Sequence, residues 1–351
     1  MSTNRLGLAT PFYVNVPVVV LGRNILATLA YYDVFDFPLK AGEIFRCLFS
    51  FKHLGLPPEP LPSLSAIEEE LEQMRKEKKA GFADGFYFLF NREYLTPLRL
   101  RREKIAKKKW EKVFHAAWWL KFLPYIKAVF ASGSLAMSNT EELGDLDVLI
   151  IVSQGRIWLS RLLVSGLMSL IGMRRKYNQK IAPDKICLNH YITDESLLIP
   201  HESVYTAQSY VNLKPVFISN PGIAGEFYKA NSWLSEYVLS FGPGLKRDDA
   251  AGSHREKVLR RDFLARFKVA VWKAILDTGI GDLLEQWAKR WQTKRIEKHR
   301  KQDPPGGRVV YNDDCLEFHP GSVEKEIIDK YNQRLEKLGL AELAIEKDSG
   351  A

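Results

Sequence analysis

Phe130-Ala131-Ser132-Gly133-Ser134-Leu135-Ala136, and then Gly144-Asp145-Leu146-Asp147-Val148-Leu149-Ile150, are the residues on which the fold of this 351-residue chain turns. An apolar run ends in a Gly-Ser turn, and a second apolar run opens with carboxylates at i and i+2. Side chains alternate across a strand, so Asp145 and Asp147 project from one face. Two adjacent carboxylates repel each other unless a cation lies between them. Hard dications such as Mg²⁺ take oxygen ligands of this kind and share them with substrate phosphates. The Gly-Ser turn offers backbone N–H groups unobstructed by a β-carbon, together with a hydroxyl donor. Val129-Phe130 before it and Val148 to Val152 after it read as buried strands, continuous apolar runs rich in β-branched residues. Carboxylates abutting a buried strand are costly unless paired or metal-bound. Together these features point to phosphoryl or nucleotidyl transfer.

Gly133-Ser134-Leu135-Ala136, an eleven-residue step from Ser134 to Asp145, and then Asp145-Leu146-Asp147 resemble the signature of the DNA polymerase beta-like nucleotidyltransferase superfamily, in the spacing of its minimal bacterial members. The resemblance implies an α+β fold: a nucleotidyltransferase-fold mixed sheet with helices. It implies that Gly133 and Ser134 hold the triphosphate of a nucleotide, at the β- and γ-phosphates. Asp145 and Asp147 would be the catalytic pair, holding Mg²⁺ or Mn²⁺. The reaction would be metal-dependent transfer of a nucleoside monophosphate from a nucleoside triphosphate to a hydroxyl acceptor. Neither the acceptor nor the preferred base is written in the sequence. Ser138 stands where many members have Gly, and Gly144 where many have Ser; both are small loop residues. The family's third carboxylate is expected on the strand from Ile186 to Ile192, and there Asn189 takes the position, with His190 beside it. An amide accepts a hydrogen bond but brings no charge to hold a metal or draw a proton. Asp184 and Asp194 lie at the two ends of that strand.

The chain carries 51 Lys and Arg against 42 Asp and Glu, a net charge of +9. An excess of this sign favours anionic partners: nucleotides, nucleic acid or an acidic membrane face. It concentrates in Arg99 to Lys112 and in Lys289 to Lys301, and the latter has seven Lys and Arg against the single Glu297. These basic helices would be the place for any non-specific nucleic-acid contact. Three cysteines, Cys47, Cys187 and Cys315, lie far apart without metal-ligand spacing, which fits a reducing cytoplasm. Met1 to Pro11 does not look like a signal peptide. The longest apolar helix candidate, Ile157 to Met173, contains Arg161 and several serines and is short for a membrane span. A cytoplasmic protein with no membrane span is the expectation.

Five regions follow from the pattern along the chain: an N-terminal tail (1–21), a winged-helix-like unit (22–97), the nucleotidyltransferase core (98–225), a helical region (226–302) and a C-terminal hairpin and helix (303–351). In the second region, Ile25, Leu26, Leu29 and Ala30 form a helical stripe broken by Asp36-Phe37-Pro38. A second helix runs through Ile44 and Leu48. Ser65 with Glu68 predicts a capped third helix, and Asp84-Gly85 between aromatic residues predicts a tight hairpin. This unit resembles N-terminal regions that accompany such nucleotidyltransferase domains in bacterial proteins. Leu98 to Leu123 reads as a long amphipathic helix, Val204 to Phe217 as a helix up to Pro215, and Arg255 to Arg300 as one or two helices. After the breaker Asp303 to Gly307 come a hairpin turning near Asn312-Asp313 and a last helix from Ser322 to Leu338.

Among the remaining residues, His190 inside an apolar strand reads as a core histidine, and His319 before Pro320 as a turn residue. Trp118-Trp119 and Trp287/Trp291, at helical spacing, read as packing. Two other functions fit the same residues. One is a non-catalytic nucleotide-binding regulator on the same fold. The other is a winged-helix nucleic-acid-binding regulator whose recognition helix would run from Ser65 to Lys79. Against the latter, Glu68, Glu69, Glu70 and Glu72 stand at the end of that helix that would meet DNA phosphates.

Overall fold

The computed structural model describes residues 18–57, 59–176, 179, 181–241, 258–300, 307–319 and 321–345. The chain forms two compact units: one from residues 1–96, 233–254 and 330–345, the other from 97–232, 255–329 and 346–351. Of the N-terminal tail expected over 1–21, residues 1–17 fall outside the described residues while 18–21 belong to the first helix; the span 303–306 of the breaker and Lys301 also fall outside.

The first unit contains α1 (Val18–Asp33), α2 (Ala41–Cys47), α3 (Leu64–Lys76) and a hairpin of β1 (Ala80–Ala83) and β2 (Phe86–Leu89). Asp84 and Gly85 both have positive φ, +50° and +84°, as a two-residue turn between right-twisted strands requires. The cap of α3 is Ser63, whose Oγ accepts the Ala66 N–H at 3.1 Å. The predicted Ser65–Glu68 box is therefore two residues out of place, since Ser65 already lies inside the helix. Tyr31, Phe49 and Tyr331 form an aromatic cluster with centroids 5.5–5.6 Å apart, and Arg334 Nε donates to Asp33 Oδ2 at 2.6 Å. Glu68, Glu69 and Glu72 are exposed on α3.

The second unit is built on a six-stranded mixed sheet. Its elements are α4 (Leu95–Leu120), β3 (Ile126–Ala131), α5 (Gly133–Ala136), β4 (Leu146–Val152), α6 (Ile157–Leu170), β5 (Ile186–Thr193), α7 (Val204–Val211), β6 (Lys214–Ile218), α8 (Ile223–Ala230), α9 (Phe263–Leu276), α10 (Gly279–Arg300), β7 (Arg308–Tyr311) and β8 (Cys315–His319); α11 (Glu324–Lys337) is divided, with 324–329 in this unit and 330–337 in the first. The strand order is β6-β3-β4-β5-β8-β7. Only β4 and β5 run parallel; the other pairs are antiparallel. The architecture is thus mixed α+β.

Alternation gives the sheet two different faces. Val129 and Ala131 of β3, Val148, Ile150 and Val152 of β4, Tyr191 of β5 and Leu316 of β8 pack in one core with Ala106, Val113 and Leu120 of α4, Trp158 and Val164 of α6, and Ala288 of α10. Glu285 of α10 accepts the Trp158 and Leu159 N–H groups at 2.9 and 2.8 Å, so one carboxylate satisfies two orphan donors at the start of α6. Phe130 turns to the opposite face, where Phe227 of α8 lies 6.0 Å from both Phe130 and Tyr210 of α7.

Two expectations are corrected. The stretch up to Pro215 is not one helix: α7 stops at Val211 and Pro215 lies inside β6. Proline is tolerated there because β6 is an edge strand and its register against β3 shifts at that point, between Phe217 and Pro215. On the outer side of β6, Ile218 N donates to Leu259 O and Leu259 N to Val216 O. Nor are the tryptophans of α10 core residues. Trp287 and Trp291 are 55 % and 45 % exposed and stack on each other with centroids 6.3 Å apart; Trp118 is exposed as well. Spacing of i, i+4 places two rings on one face of a helix, but here that face is turned to solvent. No described helix is long and apolar enough to cross a membrane.

Candidate metal and nucleotide site

Ser132 N donates to Asp147 O at 3.0 Å, which ties the turn after β3 to the start of β4. Gly133 follows with φ +60°, and a Cβ there would stand 3.0 Å from Asp147 Oδ2. Both the backbone conformation and the closeness of the carboxylate thus call for glycine. Ser138, with φ +58°, adopts a left-handed conformation that glycine takes more readily.

Asp145 and Asp147 share a site with Cys187: one ligand atom of each lies within 4.8 Å of the others. Burial, and then the charge of Asp145, push the Asp147 carboxyl up to about 6. The same burial and both carboxylates raise the Cys187 thiol far above its usual range, so it stays protonated and hydrogen-bonds Asp147. Arg175, from the loop after α6, donates through Nη1 to Asp145 Oδ2 and lies 3.6 Å from Cys187 Sγ. Its guanidinium supplies positive charge where the sequence calls for a cation. Two carboxylate oxygens beside a glycine turn suit a hard dication that takes its other ligands from water and phosphate. A protonated thiol does not compete for such an ion.

Asn189 Nδ2 donates to Asp147 Oδ1 at 3.4 Å, a long hydrogen bond. Asp184 and Asp194 are engaged elsewhere. Asp184 pairs with Lys109 at 3.2 Å and with Lys112, and Asp194 with Lys127 at 2.9 Å and the Gln154 N–H at 2.8 Å. Among the described residues, no third carboxylate belongs to the Asp145–Asp147 group. The basic run on α4 also differs from an open patch. Arg99 is buried and pairs with Glu103 one turn along α4, while Arg102 reaches Asn139 and Glu141 and Lys109 is buried against the Glu142 carbonyl, so the last two side chains brace the loop that carries Asp145. Lys104, Lys107 and Lys108 remain exposed, as do Arg290, Lys294, Arg295 and Lys298 on α10.

The feature that sequence reasoning missed is in β5. Opposite β4, Asp147 pairs with Cys187 but Leu149 pairs with His190: two steps on one strand against three on the other. This one-residue bulge returns His190 to the face of Asp147, although strict alternation from Cys187 would turn it away. His190 in turn pairs with Glu317 of β8, and His319 lies two residues on. One ligand atom from each of these three lies within 4.8 Å of the others, so His319 is part of a cluster and not a bare turn residue. Burial pushes the His190 imidazole down to about 4 and lowers that of His319.

Comparison with protein-family models, with curated proteins and with solved structures finds no match to this chain.

Proposed function

We propose that the chain is a nucleotidyltransferase-like protein that binds a nucleoside triphosphate through Mg²⁺ or Mn²⁺ and transfers the nucleoside monophosphate to a hydroxyl acceptor. The observation that carries this reading is the placement of the Asp145–Asp147 pair against the Gly133-Ser134 turn across the antiparallel β3–β4 pair. The dication would neutralise charge on the reacting phosphate and on the pyrophosphate that leaves. The residues of the chain do the rest. Asp145 and Asp147 would hold the ion, the Gly133 and Ser134 backbone and the Ser134 hydroxyl would bind the phosphates, and Arg175, which now pairs with Asp145, would exchange its carboxylate partner for a phosphate oxygen. We read the N-terminal three helices and hairpin as a winged-helix-like appendage that does not read DNA sequence, given the exposed acids on α3.

One observation favours a second reading, nucleotide binding without turnover. Asn189 stands beside Asp147 where a third carboxylate would draw the proton from an attacking hydroxyl, and Asp184 and Asp194 are paired elsewhere. Calorimetric titration of the protein with each nucleoside triphosphate in Mg²⁺ and in chelator tests binding. Transfer of α-phosphate label to the protein or to a cell extract tests turnover. Binding with no label transferred supports the regulator, and absence of any metal-dependent binding removes both readings.

A further inference from the structure

We propose that His190, Glu317 and His319 form a binding site for a transition-metal dication of the Zn²⁺ type, separate from the Asp145–Asp147 carboxylates. The argument begins with a polar atom that lacks a partner. His190 is 6 % exposed, and its Nε2 is fully buried with no hydrogen-bond partner. The other ring nitrogen, Nδ1, lies 3.1 Å from the Tyr210 hydroxyl. With Nδ1–H donating to that oxygen, Nε2 is left as a bare lone pair inside the protein. A buried unsatisfied acceptor is costly, and a bound metal ion is one way to satisfy it.

The surroundings of Nε2 supply two further ligands. Antiparallel pairing sets Glu317 directly across from His190, and the period of two along β8 puts His319 on the same face. His319 Nε2 is 3.6 Å from Glu317 Oε1, close to the separation of about 3.4 Å between two ligands at roughly 2.1 Å from a tetrahedral ion. Glu317 is as buried as His190, and Arg308 Nε donates to its Oε1 at 2.7 Å. The Tyr210 and Arg308 contacts are the outer-shell bonds that orient imidazole and carboxylate ligands. The His319 side chain is 38 % exposed, which gives an ion a way in from solvent. Two imidazoles and one carboxylate select borderline ions over Mg²⁺ and leave a fourth position for water or a substrate atom. The arrangement differs from the carboxylate pair in ligand type: two imidazoles and one carboxylate held by Arg308, against two carboxylates of which one is held by Arg175.

The test uses the full chain after chelator treatment, titrated with ZnCl₂ in a calorimeter, and with Co²⁺ to read the visible absorption of a tetrahedral site. One equivalent is expected to bind, with a rise in melting temperature. His319→Ala, at the half-exposed position, and Glu317→Gln should each weaken binding by about tenfold or more, given that loss of even an outer-shell partner costs roughly 10–100-fold. Asp147→Asn, Cys187→Ser and Cys315→Ser should leave Zn²⁺ binding unchanged. The Asp147 variant thereby separates this site from the proposed nucleotide site, so either can fail alone. Binding that survives both His319→Ala and Glu317→Gln, binding that is lost in a cysteine variant, or no binding at stoichiometric Zn²⁺ would overturn the proposal.

Discussion

The Asp145–Asp147 group and the His190–Glu317–His319 group lie on the same face of one sheet, yet they solve opposite electrostatic problems. In the first, like charges are brought together, and the protein responds by raising one carboxyl and laying Arg175 across the other. In the second, neutral rings are driven into the protein and one nitrogen is left unpartnered. The first site has an excess of charge and the second an excess of lone pairs. A cation relieves either condition, but a hard ion suits one and a borderline ion the other.

The largest effect that would sharpen this contrast is expected from Asp145→Ala and Asp147→Ala. Each should lower Mg²⁺-dependent triphosphate affinity by at least about a hundredfold, roughly 2.7 kcal/mol, with the folded state retained by circular dichroism. Unchanged binding in both variants would take these residues out of the site. Next is Asn189→Asp, which puts a carboxylate where an amide now reaches Asp147 at 3.4 Å. Dication affinity should rise about tenfold, as one more charged ligand suggests, and any label transfer should rise with it. A variant with weaker metal binding would show that the added charge only deepens the repulsion already seen at Asp147.

Arg175→Gln probes the cation lodged on the first group. Without the guanidinium, Mg²⁺ alone should bind a few-fold more tightly, while triphosphate affinity at saturating Mg²⁺ should fall by a similar factor. If both move the same way, Arg175 is structural. A separate effect is on acid stability, and its sign differs between the two groups. The Asp147 carboxyl is raised from 3.8 to about 6, so between those values the native state holds a proton that the unfolded chain releases. Its contribution to stability is therefore present below that window and lost as pH rises through it. The His190 ring is lowered from 6.5 to about 4, so there the unfolded chain takes up the proton, and stability is lost as pH falls. In the metal-free protein these slopes oppose each other over the shared window. Urea titrations across it should show Asp147→Asn losing stability more steeply in acid than wild type, and His190→Gln less steeply. The change is at most about 1.4 kcal/mol per pH unit for one proton. Parallel curves for the three proteins would mean that neither group binds its proton differently in the native and unfolded states.

What the sequence disclosed depended on how local the cause was. The strands around Gly133 and Asp145, the Asp84-Gly85 hairpin and the helix after β4 were legible because periodicity and turn chemistry act over a few residues. Pro215 misled for the opposite reason: proline forbids a helix interior and a central strand, but only the tertiary position of β6 decides that its missing N–H is harmless. The histidine group was invisible because it needs two non-local facts, a bulge in β5 and the register of β8. Neither leaves a mark in the alternation of apolar and polar residues. The outward tryptophans belong to the same class, since helical spacing says which residues share a face but not where that face is turned.

The outer margin of β6 has a consequence for how the protein behaves in a crowd. An exposed strand edge invites another chain to continue the sheet, and repetition of that step builds fibres. Here Pro215 offers no donor, while Leu259 already occupies the Ile218 donor and the Val216 acceptor. A chain arriving on this side to continue the sheet finds the Val216 carbonyl and the Ile218 N–H already taken by a leucine backbone, and so has less to template on.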